Sequence, residues 1–185
     1  MRRNRLIIAA IVLLTGLMDA RAQVDIDSSV SDPALRAYFD VICAAYKTTR
    51  KELLIIKQDQ IRDDQLPVIL HIARRANIPP REIVALRQRG QDYLVVAGRY
   101  KLGVDIFRYS SGAVTGKPYE DAYAHLDPPD RNSRLTDDDI VNLVNLRLLV
   151  EHYHSPPDVV MKARATGDNF IQINQRLATE TKPKP

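Results

Sequence analysis

The 185-residue chain has no tryptophan and a single cysteine, Cys43. One cysteine excludes an intramolecular disulfide framework, so a hydrophobic core must hold the fold together. Leu, Ile, Val and Ala supply most of the apolar residues, and they are numerous enough for the core of one domain of this length. Cys43 lies in an apolar run, which favours a buried structural thiol. A disulfide to a second chain and a nucleophilic role are the alternatives.

Long hydrophobic runs are also lacking, except for one at residues 6–17. Three arginines lie within the five residues that precede this run, and a small-x-small cleavage pattern, Ala20-Arg21-Ala22, follows it. This arrangement is typical of a secretory signal peptide. The run is shorter than the roughly 20 residues of a membrane-spanning helix. The sequence therefore predicts a signal peptide at 1–22 and an exported, periplasmic or secreted protein without a membrane span; an uncleaved membrane anchor is the alternative.

An excess of positive charge is missing once that segment is removed. The whole chain has 27 basic and 23 acidic side chains. Residues 1–22 contain four of the arginines and one aspartate, which leaves 23 basic and 22 acidic groups and a net charge of +1. Binding to nucleic acid depends on neutralising many phosphates. The mature charge therefore argues against a nucleic-acid partner.

The sequence does contain a repeat. The pattern x-Pro-Pro-x-x-[Val/Ile]-x-x-x-Arg-x-x-Gly occurs at residues 78–90 and, 77 positions later, at 155–167. An apolar helical run precedes the prolines in both places. Proline fits the first turn of a helix, and glycine suits a left-handed residue after its end. Such self-similarity predicts a repeated unit of helix, Pro-Pro turn, helix, glycine and helix.

A third copy of the repeat, earlier in the chain, is weaker. Residues 45–53 align with residues 75–83. Thr49 and Glu52 form a capping-box pair there and replace the prolines as the helix start. Lys57 falls where the repeat has its arginine, but no matching glycine follows.

These patterns predict an all-α protein, a single domain of short helices at residues 23–178 followed by a tail at 179–185. The first half covers 32–103 and the second half 136–177. Between them, residues 104–135 are rich in turn residues and are expected to form a long irregular central loop. Within that loop, Val104–Tyr109 alternates in polarity and is a candidate for a short strand.

No catalytic or metal-binding pattern is recognisable. The three aspartates at 137–139 lack the alternate spacing and the turn glycine of a calcium loop, and they favour a helix N-terminus instead. His152 and His154 are two positions apart, whereas zinc pairs on a helix are three or four apart. His71 lies in an apolar helix, as a core histidine would. We expect no metal and no cofactor.

Candidate binding residues come from the central loop and from the repeat. A long connection inside a domain is often functional, and tyrosines in it can stack on sugar rings. The two arginines that recur in the repeat can bind an anion, although pairing with a helix C-terminus or with an acid such as Glu82 is the commoner role. The candidates are Tyr109, Lys117, Tyr119, Tyr123, Arg87 and Arg164.

Three runs carry a resemblance: LPVILHIARRANIPPREIVALRQRG, GKPYEDAYAHL and DDDIVNLVNLRLLVEHYHSPPDVVMKARATGDNF. They resemble a group of uncharacterised exported proteins of Gram-negative bacteria, which share a Leu-Pro-Val helix, an Arg-x-x-Gly and an Asp-Ile-Val-x-Leu-Val-Asn helix. The chain departs from the group at Asp92-Tyr93, where the group has a Ser-Trp-like pair, and at 116–120, where it has a Gly-Pro-Pro-Tyr-Gly-like loop. The resemblance implies export and a helical architecture, and it implies no activity.

A second resemblance covers residues 90–104. This segment is similar to the helical part of lysin-motif domains, which bind peptidoglycan or chitin. The flanking strands of that motif and its later Asn-Pro and Ile-Pro elements are missing from the sequence. A glycine, a capping acid and an apolar helix also describe an ordinary helix corner.

Three functions from different classes follow. The first is an exported, non-enzymatic helical protein that binds a protein partner or serves the cell envelope. The second is a peptidoglycan- or glycan-binding module that uses Tyr119 and Tyr123. The third is a hydrolase that uses carboxylates such as Glu120 with Asp121 or Asp127.

Overall fold

Nine α-helices and no strand are formed by the residues that the computed structural model describes, 30–57, 61–110, 112–126 and 134–180. The predicted all-α class is therefore confirmed. The described residues from Ser31 onward belong to one compact unit. The helices are α1 (Pro33–Tyr46), α2 (Arg50–Lys57), α3 (Leu66–Ala76), α4 (Pro80–Gln88), α5 (Tyr93–Arg99), α6 (Tyr119–Leu126), α7 (Asp137–Tyr153), α8 (Pro157–Ala165) and α9 (Phe170–Glu180).

The predicted signal peptide, residues 1–22, lies outside the described residues. The predicted tail lies partly outside them, since the description ends at residue 180. Its first two residues do not form a tail, because α9 continues through them to Glu180.

The helix starts follow from the capping residues. The carboxylate of Asp32 accepts the Ala34 N–H at 2.8 Å at the start of α1. Thr49 and Glu52 exchange the two hydrogen bonds of a capping box, at 3.2 and 3.1 Å, before α2. A second capping box precedes α7. Each box satisfies N–H groups that a helix start leaves without a partner.

The sequence repeat is also a structural repeat. Helices α3, α4 and α5 form the middle copy, and α7, α8 and α9 form the late copy. Both first helices end in a left-handed residue, Asn77 at φ 55° and His154 at φ 51°. Both second helices begin at a Pro-Pro pair and lead to a glycine with positive φ, 76° at Gly90 and 103° at Gly167. These glycines hold a conformation that a side chain would strain.

The weaker early copy consists of α1 and α2. α1 ends at Tyr46 and is followed by Lys47, which has a left-handed conformation at φ 55°. Asn77, the left-handed residue of the middle copy, lies 30 positions later. A 3₁₀ turn, Asp63–Gln65, stands where the other copies have a third helix, and it leads directly into α3. The early copy is therefore a helix pair with a shortened third element.

Helices α3 and α7 lie at the centre of the molecule. Every residue from Leu66 to Ala73 of α3 is buried, and α7 buries eleven of its 17 residues. The two helices pack against each other, and α1 packs against both. Because α7 is covered on several sides, even Asn142 and Asn145 are buried.

The central segment is more regular than the sequence predicts. The candidate strand at Val104–Tyr109 is wrong, because Val104–Ile106 forms a 3₁₀ turn and the described chain offers no strand to pair with it. The second part of the segment contains α6, which packs on α7. The irregular loop is thereby reduced to connections around one short helix.

Candidate functional site

An open cavity of about 780 Å³ lies where the C-terminal turns of α1, α3 and α7 meet. We call it the arginine cleft. α3 contributes His71, Arg74 and Arg75 to its walls, and α7 contributes Arg147, Leu148 and Glu151. α1 contributes Ala45 and Tyr46, and the segment Arg108–Ser110 completes the rim.

The cleft is strongly positive. The described residues that line it include four arginines and one acid, Glu151, whose side chain is 63% exposed and therefore well solvated. The C-terminal ends of the helices add some negative potential. Arg74 offsets part of it by donating to the Ala45 carbonyl at 3.1 Å. The remaining positive charge makes this cavity a candidate binding site for anions.

Arg147 fixes one wall of the cleft. Its guanidinium donates to the Ile106 carbonyl at 3.0 Å and to the Arg108 carbonyl. It also lies 6.0 Å from the centre of the Tyr109 ring. Arg147 therefore ties segment 106–109 to α7, and most of its donors are committed to the protein itself.

His71 forms the floor of the cleft. Its side chain is buried, and Nε2 lies 2.8 Å from the Ile106 carbonyl oxygen. Burial above all, together with the nearby Arg147, Arg75 and Arg74, lowers the pKa of His71 to about 4. The imidazole is therefore neutral at pH 7 and donates to the carbonyl. This agrees with the sequence-based prediction of a core histidine whose hydrogen bond is satisfied.

Arg75 and Arg108 are the two cleft arginines that do not bond to a backbone carbonyl of α1 or of segment 106–109 in the contacts described above. Arg75 is exposed and makes no hydrogen bond or ion pair with another described residue. Arg108 is one-third exposed, and its guanidinium is 3.8 Å from the exposed carboxylate of Asp105, a long contact for an ion pair. The side chain of Arg75 can therefore turn toward a ligand without breaking a bond to another described residue.

Among the candidate residues from the central loop, only Tyr109 lines the cleft. The Tyr123 hydroxyl donates to the Tyr109 carbonyl and so holds that residue in place. Lys117 is away from the cleft lining, and its ammonium pairs with Asp121 at 3.2 Å. Tyr119 is the first residue of α6 and is fully buried, so its ring is not accessible to stack on a sugar, as the sequence had suggested.

The two repeat arginines play the same structural part in their copies. Arg87 donates to the Gln91 carbonyl at 2.6 Å, and Arg164 donates to the Asp168 carbonyl at 3.1 Å. Each guanidinium lies over the first aromatic ring of the next helix, 4.0 Å from the ring centre in the middle copy and 5.0 Å in the late copy. Each arginine therefore closes the turn at the repeat glycine.

Both arginines also reach α7. Arg87 pairs with Asp137 at 2.6 Å, and Arg164 donates to the Asn142 side chain at 3.0 Å. The acid that pairs with Arg87 is thus Asp137 rather than Glu82. With these partners, neither side chain is placed to bind a ligand anion, and the repeated anion site that the sequence allows is not formed.

Replacement of Arg87 by alanine is expected to lower the free energy of unfolding by about 2 kcal/mol, because Asp137 and the Gln91 carbonyl each lose a partner in a largely buried place. Urea denaturation at pH 7 measures it. Arg81→Ala, at an exposed position of the adjacent helix, is the control and should change stability by less than about 0.5 kcal/mol. Equal effects of the two variants would contradict the structural role of Arg87.

The carboxylates of the hydrolase hypothesis are engaged locally. Glu120 accepts the Gly116 N–H at 2.9 Å, and Asp121 pairs with Lys117. Asp127 lies outside the described residues. Within the described ranges, no group of three or more His, Cys, Asp or Glu side chains is placed to hold a metal ion. Cys43 is half-buried in α1, and burial raises the pKa of its thiol.

None of the four cleft arginines is among the candidate residues that the sequence suggested. Arg74 and Arg75 at the end of α3 are typical of charges that offset a helix C-terminus. Arg147 was the stronger signal, because it is a charged residue inside the run of buried positions from Ile140 to Val150. A lone charge in such a run indicates a polar environment at that place.

Comparison with known proteins adds no assignment, since no family model, curated protein or solved structure matches the chain. The segment that resembles a lysin motif forms the single helix α5, and the described residues on both sides of it form helices and turns. Across the described ranges, no helix is both long enough and apolar enough to span a membrane.

Proposed function

We propose that the protein is an exported, non-enzymatic binding protein, and that the arginine cleft binds an anionic group of its ligand or partner. One observation carries the proposal: in the part of the chain that the structure describes, four arginines line an open cavity together with one acid, which is well solvated. Arginine is suited to this task, because its planar fork of N–H donors matches carboxylate and phosphate oxygens. Export rests on the signal-peptide pattern of residues 1–22.

The chemistry of the walls favours binding over catalysis. A general base must reach the proton it removes and have a pKa near the working pH. His71 is buried with a lowered pKa and is bonded to the Ile106 carbonyl. Glu151 is solvated at the rim. What the cleft supplies is an array of donors that can hold an anion in place.

A peptidoglycan or another acidic glycan is the second candidate, and Tyr109 favours it. This tyrosine lines the cleft beside the arginines, so that an aromatic ring and cationic groups lie close together. In a sugar polymer that carries carboxylates, a sugar ring can stack on the tyrosine and a carboxylate can pair with the arginines. The first candidate, a protein partner, would offer acidic side chains to the same arginines.

Co-sedimentation with purified peptidoglycan sacculi separates these candidates. If the glycan is the ligand, the purified protein should pellet in a saturable manner, and the Arg75→Ala/Arg108→Ala variant should stay in the supernatant. The Arg81→Ala/Arg99→Ala variant removes the same charge from exposed positions outside the cleft and should pellet like the parent. Equal pelleting of both variants would contradict binding through the cleft. If the parent protein does not pellet with the sacculi, the peptidoglycan hypothesis is excluded.

A further inference from the structure

Three of the four cleft arginines are engaged by the protein itself. Arg147 donates to the carbonyl oxygens of Ile106 and Arg108. Arg74 donates to a backbone carbonyl of α1 at 3.1 Å. The guanidinium of Arg108 pairs with Asp105 across 3.8 Å. These three side chains supply positive charge and shape the walls, and a ligand that bonded to them would compete with partners that they already have.

Arg75 is the cleft arginine that differs. It is the next-to-last residue of α3, its side chain is exposed, and it makes no hydrogen bond or ion pair with another described residue. Its full fork of N–H donors can therefore turn into the cavity that it lines. Such a planar fork matches the two oxygens of one carboxylate through a pair of parallel hydrogen bonds. The described part of the cleft thus offers a contact group suited to one carboxylate.

The charges around Arg75 favour a ligand with one negative charge. Arg74 and Arg147 raise the positive potential of the cavity. Glu151 opposes them at the rim, where its carboxylate lies 3.9 Å from the Arg147 guanidinium. A phosphate monoester has three terminal oxygens and carries more than one negative charge near pH 7, so it needs more donors than one fork supplies. A carboxylate is the better match.

The cavity has room for much more than a carboxylate. Its volume of about 780 Å³ is in the range of pockets that hold whole organic ligands. Tyr46, Tyr109 and Leu148 provide aromatic and apolar surface on the walls. Tyr109 is held in place, because its ring lies 6.0 Å from the Arg147 guanidinium and its carbonyl accepts the Tyr123 hydroxyl. This surface can pack against an apolar or aromatic group that is attached to the carboxylate.

We propose that the arginine cleft binds an organic acid with a single carboxylate on an apolar or aromatic body, and that Arg75 contacts the carboxylate. Tyr46, Tyr109 and Leu148 contact the body. This inference rests on the proposed function and specifies its ligand. The same chemistry is found in small free acids and at the C-terminus of a peptide that ends in an apolar residue. The cleft recognises the carboxylate and the adjoining apolar group in both cases.

Titration of the purified protein with N-acetyl-L-phenylalanine at low ionic strength, followed by NMR, tests the proposal. N-acetyl-L-phenylalaninamide has the same body without the charge. It should bind at least about 10-fold more weakly, because it loses the charge-assisted hydrogen bonds to Arg75. Acetate keeps the charge but lacks the ring, and it should also bind at least about 10-fold more weakly. Equal binding of the acid and its amide, or no binding of the acid, would overturn the proposal.

Variants locate the contact. Arg75→Ala should weaken binding of N-acetyl-L-phenylalanine at least about 10-fold. Arg75→Lys should lose several-fold in affinity, because lysine keeps the charge but lacks the fork. Arg81→Ala removes the same charge from an exposed position outside the cleft and should bind within about 2-fold of the parent. Unchanged affinity in Arg75→Ala, or an equal loss in Arg81→Ala, would overturn the contact.

Two further outcomes are distinguishable. If Arg75→Ala loses its helical circular dichroism signal, the Arg75→Lys titration decides, and unchanged affinity there overturns the direct contact. If the parent ignores N-acetyl-L-phenylalanine but pellets with sacculi through the cleft, the assignment of the ligand fails while the proposed binding function stands.

A longer ligand distinguishes the two sources of the carboxylate. The probe is an N-acetylated tetrapeptide of three glycines followed by a C-terminal phenylalanine with a free carboxylate. Binding at least as tight as that of N-acetyl-L-phenylalanine supports the proposal with a peptide C-terminus as the ligand. Binding at least about 10-fold weaker supports it with a small free acid, because the cleft then excludes the chain that precedes the last residue.

Discussion

Replacement of Asn145 by leucine is expected to lower the free energy of unfolding by about 3 kcal/mol, since buried groups left without partners cost about 1–3 kcal/mol each. Asn145 is fully buried in α7 and joins three elements. Its oxygen accepts the Tyr38 hydroxyl of α1. Its amide donates to the Asp64 carbonyl at 2.9 Å and to the Val141 carbonyl at 2.8 Å. Leucine has a similar size and fills the space, but it leaves the Tyr38 hydroxyl and the Asp64 carbonyl unpaired.

A double-mutant cycle separates this mechanism from a simple packing defect. Tyr38→Phe alone should cost about 1–2 kcal/mol. Combined with Asn145→Leu, it should cost clearly less than the sum of the two, because the second change removes the unpaired hydroxyl. Urea denaturation of the parent, the two single variants and the double variant gives the free energies of unfolding that the cycle needs. Strict additivity would show that the buried Tyr38–Asn145 bond does not carry the effect.

Acidification is expected to destabilise the fold through His71. The pKa of His71 is about 4 in the folded protein, below the ordinary value of about 6.5. Between these two values the unfolded chain binds more protons than the folded one, so stability rises with pH across this window. The contribution of neutral His71 is fully present above pH 6.5. About 2 kcal/mol of it is lost by pH 5, and about 3 kcal/mol by pH 4.

His71→Gln is the control for this prediction. Glutamine can donate to the Ile106 carbonyl that His71 contacts, but it does not titrate. The charged groups that contribute to the lowered pKa of His71 are the guanidiniums of Arg147, Arg74 and Arg75. They stay charged throughout this pH range. Urea denaturation from pH 7 to pH 4 should therefore show a shallower loss of stability in the variant. Parallel curves for the two proteins would contradict the assignment to His71.

The local parts of the fold were predictable because they depend on neighbours in sequence. Asp32 before a proline, the Thr49–Glu52 box and the Pro-Pro starts act within one helical turn, and each helix begins where these residues place it. The role of Arg87 was half predictable for the same reason. Its bond to the carbonyl at Gln91 is local, whereas its partner Asp137 comes from another copy.

The cleft was not predictable, because it depends on where helices far apart in sequence end. The spacing of apolar residues shows which side of a helix is buried, but not which helix ends meet. Tyr119 shows the opposite error. A tyrosine among turn residues suggested an exposed loop, but it begins α6 and is buried. Only Tyr109 was placed by sequence reasoning at the site that the structure forms.

The cleft takes one helix end from each copy of the repeat, and its two main walls have diverged. At the 77-residue offset, His71, Arg74 and Arg75 correspond to Leu148, Glu151 and His152. The two copies share their turns and helix starts, but they do not share the charged residues of the cleft. If the copies arose by duplication, the ancestral unit had the turns and no cleft. The arginine cleft would then have arisen only after the copies were joined in one chain. Substitutions to charged residues at the helix ends that meet would have created it.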